Sequence, residues 1–418
     1  MDKRRARLAF SMALWAVSFG CGSSVLVDPG STGGAGGSGG TAGSGQGGAG
    51  SGEGAAGTTT SSTATGGPCT GDGSLQPALP LNVDLGNPVT IAATDLNGDG
   101  ETDLAVSDVA GAVVLLNEGE ATFAPAVAYP TGIAALLTAA DLDGDGTPDL
   151  AVSNAMETTV SILLNEGDGT FAPAVTHDVG DTVGFSAVAD VNDDGEPDVA
   201  VVAGGTVRLL MNKGNGAFAL APGSAGSSVG HLAAADVNGD GEVDLVLGRL
   251  EAPALSVLLG HGDGTFTPGG DHDAGDAMGY VAVRAADLDG DGKPDLAVAD
   301  ASAGIVAVLL NQGNGTFGTP AVHPVGGYPL AIEIADLNDD GRPDLIAANE
   351  ALGTVNILLN DGGGAFTAPI EHAVDGGPWA VAAGDLDGDG KPDLAVSHMP
   401  NASGGTTDVS VLLTGCSP

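Results

Sequence analysis

From residue 75 onward the chain alternates short apolar runs with turns. Runs of four to seven residues rich in Val, Ala, Leu and Ile are separated by clusters of Gly, Asp and Asn. Apolar runs of that length bounded by turn formers read as β-strands, and no segment sustains the 3.6-residue apolar period of a surface helix. The runs keep a fixed order. An aspartate-rich segment leads into LAVSD, LAVSN, VAVVAG, LVLGR, LAVAD, LIAAN or LAVSH. A second run such as VSILLN or VNILLN follows. Then comes a turn ending in phenylalanine: NEGEATF, NEGDGTF, NKGNGAF, GHGDGTF, NQGNGTF or NDGGGAF. A further run such as APAVTHDVG and a strand such as YVAVRAADL complete the unit.

The aspartate-rich segments start at Asp95, Asp141, Asp190, Asp236, Asp287, Asp336 and Asp385, a spacing of 46 to 51 residues. Seven repeats of four strands predict an all-β fold. It is a seven-bladed β-propeller of four-stranded blades over residues 75–416, whose radial packing leaves few sheet edges exposed. The seventh unit stops after its third strand, DVSVLLTG. The segment SLQPALPLNVDLG, ahead of the first aspartate-rich segment, looks like the missing strand, so an N-terminal strand is expected to complete the last blade.

The N-terminal region breaks this pattern. MDKRRAR is basic, and LAFSMALWAV is apolar but too short to span a bilayer. Gly20 before Cys21 resembles a bacterial lipobox, with Ser18 where leucine is usual. Residues 1–21 are therefore expected to be a signal peptide with lipidation at Cys21; ordinary secretion is the alternative. Residues 22–74, almost wholly small and polar in 30–67, cannot bury a core and predict a flexible linker. The protein is expected outside the cytoplasm, lipid-anchored to the outer membrane or cell surface, or else secreted or periplasmic. Cys69 and Cys416 flank the folded part and could pair in an oxidising compartment. The alternative is two thiols that are free or separately paired.

Charge narrows the partners. The formal net charge is −43, from 54 acidic and 11 basic residues, and a field of that sign opposes nucleic acid and acidic membranes. So acidic a chain invites disorder, but 42% of its residues are hydrophobic, enough for most of it to fold.

The acidic segments raise their own question. DLDGDGKPDL occurs at both 287–296 and 385–394. Like charges at about 4 Å repel by about 4 kcal/mol per pair at an effective dielectric near 20. Counted from its first aspartate, each segment carries Asp or Asn at 3, Asp at 5, Gly at 6 and Asp at 9. Oxygen ligands at alternate positions around a glycine bend are the logic of calcium loops, with a backbone carbonyl at 7. An EF-hand would need glutamate at 12 and flanking helices; here position 12 is apolar and strands flank the loop.

The expected ligand sets are Asp95, Asn97, Asp99, Glu101 and Asp103; Asp141, Asp143, Asp145, Thr147 and Asp149; and Asp190, Asn192, Asp194, Glu196 and Asp198. The others are Asp236, Asn238, Asp240, Glu242 and Asp244; Asp287, Asp289, Asp291, Lys293 and Asp295; Asp336, Asn338, Asp340, Arg342 and Asp344; and Asp385, Asp387, Asp389, Lys391 and Asp393. The seventh residue of each segment contributes its carbonyl. Up to seven structural Ca²⁺ are expected, bound more weakly where asparagine at position 3 removes a charge.

The pattern DxDxDGxxD in repeats of this length resembles the FG-GAP and VCBS repeats of the integrin α-subunit head and of many bacterial exported proteins, over about residues 75–415. The resemblance implies a seven-bladed propeller with Ca²⁺ in the hairpin between the first two strands of each blade. It also implies a binding or adhesion role.

The aromatic residues are orderly. Phe123, Phe171, Phe218, Phe266, Phe317 and Phe366 end the turns and are expected to pack blade on blade. Tyr129, Phe185, Tyr280, Tyr328 and Trp379, with His231 in the matching place, are read as lying in the connections between blades, opposite the calcium loops. Such rings suit a sugar or a peptide side chain; alternatively they plug the channel mouth or cover the inner strands. His177, His272, His323 and His372 fall in outermost strands and are expected to be solvated. HExxH, GxSxG, P-loop and CxxC motifs are absent, and no compact triad can be named. The expected function is a monomeric, non-enzymatic binding or adhesion module for an extracellular or periplasmic glycan or protein ligand. The alternatives are an exported enzyme acting at the channel mouth and a purely structural envelope protein.

Overall fold

The apolar runs form strands in the order their spacing predicts. The computed structural model describes residues 73–415 except 82, 84, 156, 224, 227–229, 250–253, 275–280, 375 and 400–407. The expected signal peptide, Cys21, Cys69, Cys416 and nearly all of the linker lie outside the described residues. Seven four-stranded sheets account for all the strands but a small hairpin at Asn360–Gly362 and Ala365–Phe366. No helix occurs among the described residues.

Blade 2 is representative. Its strands Ala134–Ala140, Asp149–Asn154, Thr159–Leu163 and Val175–Asp178 pair antiparallel with their neighbours in that order. The second strand, DLAVSN, is buried at every residue. Strands covered on both faces read as continuous apolar runs rather than alternating ones. Coverage fades at the fourth strand, where Val175 exposes 54% of its surface.

The first strands of successive blades pack on one another, and that of blade 7, Gly377–Gly384, packs on that of blade 1, Ile91–Thr94, closing the ring. The N-terminal strand completes blade 7 as expected. Leu79–Leu81 pairs antiparallel with Val409–Leu412, setting Leu79 opposite Val411 and Leu81 opposite Val409. Pro80 is tolerated there because an outer-edge strand need not donate every amide.

Two expectations about outer residues are corrected. Tyr129 lies within the fourth strand of blade 1, Val127–Pro130, and not in a connection. Its ring meets Phe171 of blade 2 edge-on at 5.3 Å. The histidines are not solvated either. His177 meets Phe218 at 5.8 Å, His272 meets Phe317 at 5.2 Å and His323 meets Phe366 at 5.8 Å, each edge-on and each across a blade boundary. A fourth strand has one face against the neighbouring blade's turn, and these rings occupy it. Burial pushes the imidazoles of His177 and His323 below their ordinary pKa. His372 instead places Nε2 3.2 Å from the carbonyl of Gly73, where the N-terminal strand joins.

Candidate metal centres and the opposite face

Each acidic segment is a tight hairpin folded around its own first carboxylate. In blade 1, Asp95 accepts the amides of Gly98 at 2.7 Å and Gly100 at 2.9 Å. In blade 2, Asp141 accepts those of Gly144 and Gly146 at the same distances. Positions 4 and 6 need positive φ, which glycine reaches without strain: Gly98 has 74° and Gly100 has 92°. In blades 3 and 6 aspartate takes position 4 regardless, Asp193 at 57° and Asp339 at 59°. The position 3 side chain accepts the amide of position 5, and position 5 accepts that of position 7, as in Asp99 to Asn97 and Glu101 to Asp99. The turn thereby draws its side-chain oxygens inward.

The ninth residue works differently. Asp103, Asp149, Asp198, Asp244, Asp295, Asp344 and Asp393 are wholly buried, at 0% exposure. One oxygen accepts the amide of position 2, for example Leu142 to Asp149 at 2.8 Å. The other accepts an amide at the end of the third strand, for example Asn165 to Asp149 at 2.7 Å. This carboxylate pins the hairpin to the blade. Burial pushes Asp149, Asp198, Asp244, Asp295, Asp344 and Asp393 up to about 6, against the lowering effect of those amides and with help from neighbouring carboxylates. Asp103 is raised for the same reason.

Three hairpins bring three carboxylates together, with ligand atoms within 4.8 Å of one another: Asp141, Asp143 and Asp149; Asp287, Asp289 and Asp291; and Asp385, Asp387 and Asp393. These are the three with aspartate at position 3. Such groups could hold a metal ion. In blades 5 and 6 the residue at position 7 is basic and turns onto position 5, pairing Lys293 with Asp291 and Arg342 with Asp340.

Sequence reasoning missed the asparagine that opens the phenylalanine turn. Asn117, Asn165, Asn212, Asn311 and Asn360 donate through Nδ2 to the position 2 carbonyl of the preceding blade's hairpin: Leu386, Leu96, Leu142, Val237 and Leu288, at 2.7 to 2.9 Å. The available signal was the N that begins five of the six turns. The second glycine of the same turn permits close approach. A Cβ on Gly216 would lie 2.6 Å from Leu164 Cδ1 of blade 2, and one on Gly169 would lie 2.7 Å from Leu116 Cδ2 of blade 1.

Among the described residues the opposite face does not present the expected ring of aromatics. Phe185 and His231 are buried at 6% and 2% exposure and stack on each other across the boundary of blades 3 and 4, with centroids 4.1 Å apart. Trp379 is buried at 4%. Phe185 and Trp379 sit on first strands, His231 directly precedes one, and burial leaves none of the three open to a ligand. Burial, then Arg284, holds His231 well below its ordinary pKa. Arg284 in turn lies 3.6 Å from Glu333 of blade 6. Tyr280 lies outside the described residues.

Tyr328 packs against the core but is only partly buried. Its amide donates to Asn349 Oδ1 at 2.7 Å, while Asn349 Nδ2 donates to the carbonyls of Val325 and Gly326. Burial, with the carboxylates of Asp300 and Glu350, raises its phenol above the usual value. Leu352, 49% exposed, lies on the same loop as Glu350.

A closed ring of seven antiparallel blades, each opening on an acidic hairpin, defines a repeat β-propeller. The chain belongs to the FG-GAP-like repeat family, which matches residues 95–152, 141–189, 190–247, 236–298, 287–347 and 336–396. No curated protein matches the chain. Among solved structures it is similar to BBS1N, solved in complex with ARL6DN, at 14% identity and a TM-score of 0.57, covering 82% of this chain and 96% of that one. It is also similar to virginiamycin B lyase from Staphylococcus aureus, at 12% identity and a TM-score of 0.53, covering 82% and 99%. A lectin from Agrocybe aegerita that recognises non-reducing terminal N-acetylglucosamine aligns at 24% identity and a TM-score of 0.49, over 69% and 80%. For the first two, at these identities, the likeness is one of fold.

Proposed function

We propose that the chain is a calcium-stabilised binding module, exported and held at the outer membrane or cell surface by a lipid on Cys21, that recognises a glycan or protein ligand on the face opposite its acidic hairpins. The donor set carries the metal part. Hard oxygens converge in the hairpins, three of which gather three carboxylates within 4.8 Å. Calcium takes six to eight such oxygens in flexible geometry, whereas Mg²⁺ keeps more of its own water. In blade 2 the ion would be held by Asp141, Asp143, Asp145 and Asp149 with the carbonyl of Thr147. Bound calcium supplies the positive charge that offsets carboxylate repulsion; the chain itself fixes the bend and seats the ninth aspartate. At a Kd near 10⁻⁴ M and millimolar calcium, each site adds about 1.4 kcal/mol.

The ligand reading rests on Tyr328. A partly buried tyrosine on a clamped backbone, with Leu352 and Glu350 on the adjoining loop, joins an apolar surface to hydrogen-bonding groups. That combination suits a sugar ring or a peptide side chain.

Calcium titration calorimetry, a glycan array and pull-down from envelope extract test the whole. Expected are calcium heats, a melting point that falls with chelator, and a ligand lost by a still-folded Tyr328→Ala. Absence of heat together with an unmoved melting point would remove the calcium part. A ligand retained at full affinity by Tyr328→Ala would remove that site. Cys21→Ser should shift the protein from the detergent phase to the aqueous phase; unchanged partition would remove the anchor.

A further inference from the structure

The asparagines do more than tie neighbouring blades. Asn165 donates through its backbone amide to Asp149 of its own hairpin at 2.7 Å and through Nδ2 to Leu96 O of the hairpin before it at 2.7 Å. The amide of that same Leu96 donates to Asp103 at 2.9 Å. Asp103 also accepts the amide of Asn117, whose Nδ2 reaches Leu386 O of blade 7. The amide of Leu386 donates to Asp393. In the other direction, Asn212 links Asp198 to Leu142, whose amide returns to Asp149. One unbroken sequence of hydrogen bonds therefore runs through the buried aspartates of blades 7, 1, 2 and 3.

A second such run joins blades 4, 5 and 6. Asn360 links Asp344 to Leu288, whose amide donates to Asp295. Asn311 links Asp295 to Val237, whose amide donates to Asp244. Among the described residues the two runs do not meet. Gly260 holds the asparagine's place in blade 4 and has no side chain to offer; a Cβ there would lie 2.1 Å from Val243 O. The amide of Gly264 still donates to Val191 O, but this bond bypasses Asp244. In blade 7 the place is held by Thr414, whose hydroxyl turns to Pro392 O and Asp393 Oδ1 of its own blade.

We propose that the seven acidic hairpins act as two coupled groups, blades 7, 1, 2 and 3 and blades 4, 5 and 6, joined through the positioning residues Asn117, Asn165, Asn212, Asn311 and Asn360 and separated at the 3/4 and 6/7 boundaries. A change in one hairpin passes to its neighbours within a group and stops at those boundaries. The part concerning ions rests on the calcium reading above.

Hydrogen exchange on the full chain tests it in two arms. In chelator, Asn165→Thr, which copies the natural arrangement of blade 7, should speed exchange across 95–103 about tenfold while 236–244, 287–295 and 336–344 stay unchanged. Unchanged exchange at 95–103, or equal acceleration in every hairpin, would overturn the proposal. The second arm uses calcium and Asp145→Asn, a change at an exposed position that leaves the asparagines intact. Protection lost at 141–149 should extend to 95–103 and 190–198 and stop before 236–244. Loss confined to 141–149, or reaching blades 4 to 6, would likewise overturn it. If calcium protects no hairpin in the wild type, the calcium reading fails, and the chelator arm still decides the coupling.

Discussion

The two faces of the ring are built on opposite rules. On the hairpin face each blade repeats the same bonds. The ninth aspartate accepts the position 2 amide at 2.8 to 3.2 Å and the amide ending the third strand at 2.6 to 2.8 Å in all seven. On the opposite face the residue five positions after the ninth aspartate, at or beside the end of the second strand, is Asp108, Asn154, Ala203, Arg249, Asp300, Asn349 or His398. Asp108 accepts the Asn87 amide, Asn154 donates to Thr159 and Ser161, Arg249 pairs with Asp271, and His398 meets Ser410. Repetition serves the scaffold that every blade needs. Six of these seven residues are buried and diverge with the packing of their own blade, whereas Arg249 reaches solvent and could meet the proposed ligand, since function resides in sites carried by a fold rather than in the fold.

The largest break in this comparison should come from the buried aspartates. Asp149→Ala strands the buried amides of Leu142 and Asn165. It should cost about 3 kcal/mol or more in urea unfolding performed in chelator. Asp145→Ala, in the same hairpin but exposed, should cost no more than about 0.5 kcal/mol under those conditions. Equal costs would mean that the hairpin is not pinned by its ninth residue.

The pH dependence should change sign with metal. Six of the buried aspartates sit at about 6 in the folded chain, against an ordinary 3.8. The folded state therefore binds protons more tightly than the unfolded state between those values. In chelator, the contribution of these six groups to stability should be greatest below about 4, fall as pH rises toward about 6, and level off above it. Calcium favours the ionised form, so with calcium the contribution should grow as pH rises through the same window. Melting curves at four or five pH values with and without calcium test this; parallel slopes would mean that the ninth aspartates do not feel the ion.

Legibility in the sequence followed the same division. The ring, its seven units, the closing strand and the acidic hairpins could be read because each is a local pattern repeated at a fixed spacing. Residues whose role depends on the neighbouring blade could not. Asn165 looks like an ordinary turn former until Leu96 O is seen beyond it. His177 looks like a surface residue because an outermost strand is assumed to have two wet faces, whereas one faces Phe218. Trp379, Phe185 and His231 were read as a ligand-facing set from their shared place ahead of each hairpin. That place lies on or directly before the inner strands, where all three side chains are buried.

The blade boundary offers a sharper, smaller test. Gly216 combines φ of 67° with an approach that would bring a Cβ to 2.6 Å from Leu164. Gly216→Ala should cost about 1–3 kcal/mol, from left-handed strain and overpacking together. Gly144→Ala has a similar φ of 80° but open space around its Cβ, and should cost about 1 kcal/mol, the backbone part alone. If the two cost the same, the turn glycines are present only for their backbone and the blades are not in close contact there.

The smallest effect on stability belongs to the opposite face. Arg249 and Asp271 pair at 3.2 Å, with 29% and 50% of their side chains exposed. Surface pairs of this kind contribute little, so Arg249→Ala should shift unfolding by no more than about 0.5 kcal/mol. The hairpins lie at the other end of the blade, so calcium affinity should be unchanged as well. Any loss of ligand capture by this variant would then report recognition alone, and titrating both ligand and calcium against the same preparation separates the two. A matching loss of calcium affinity would show that the faces communicate through the blade, and that the line drawn between scaffold and recognition surface is in the wrong place.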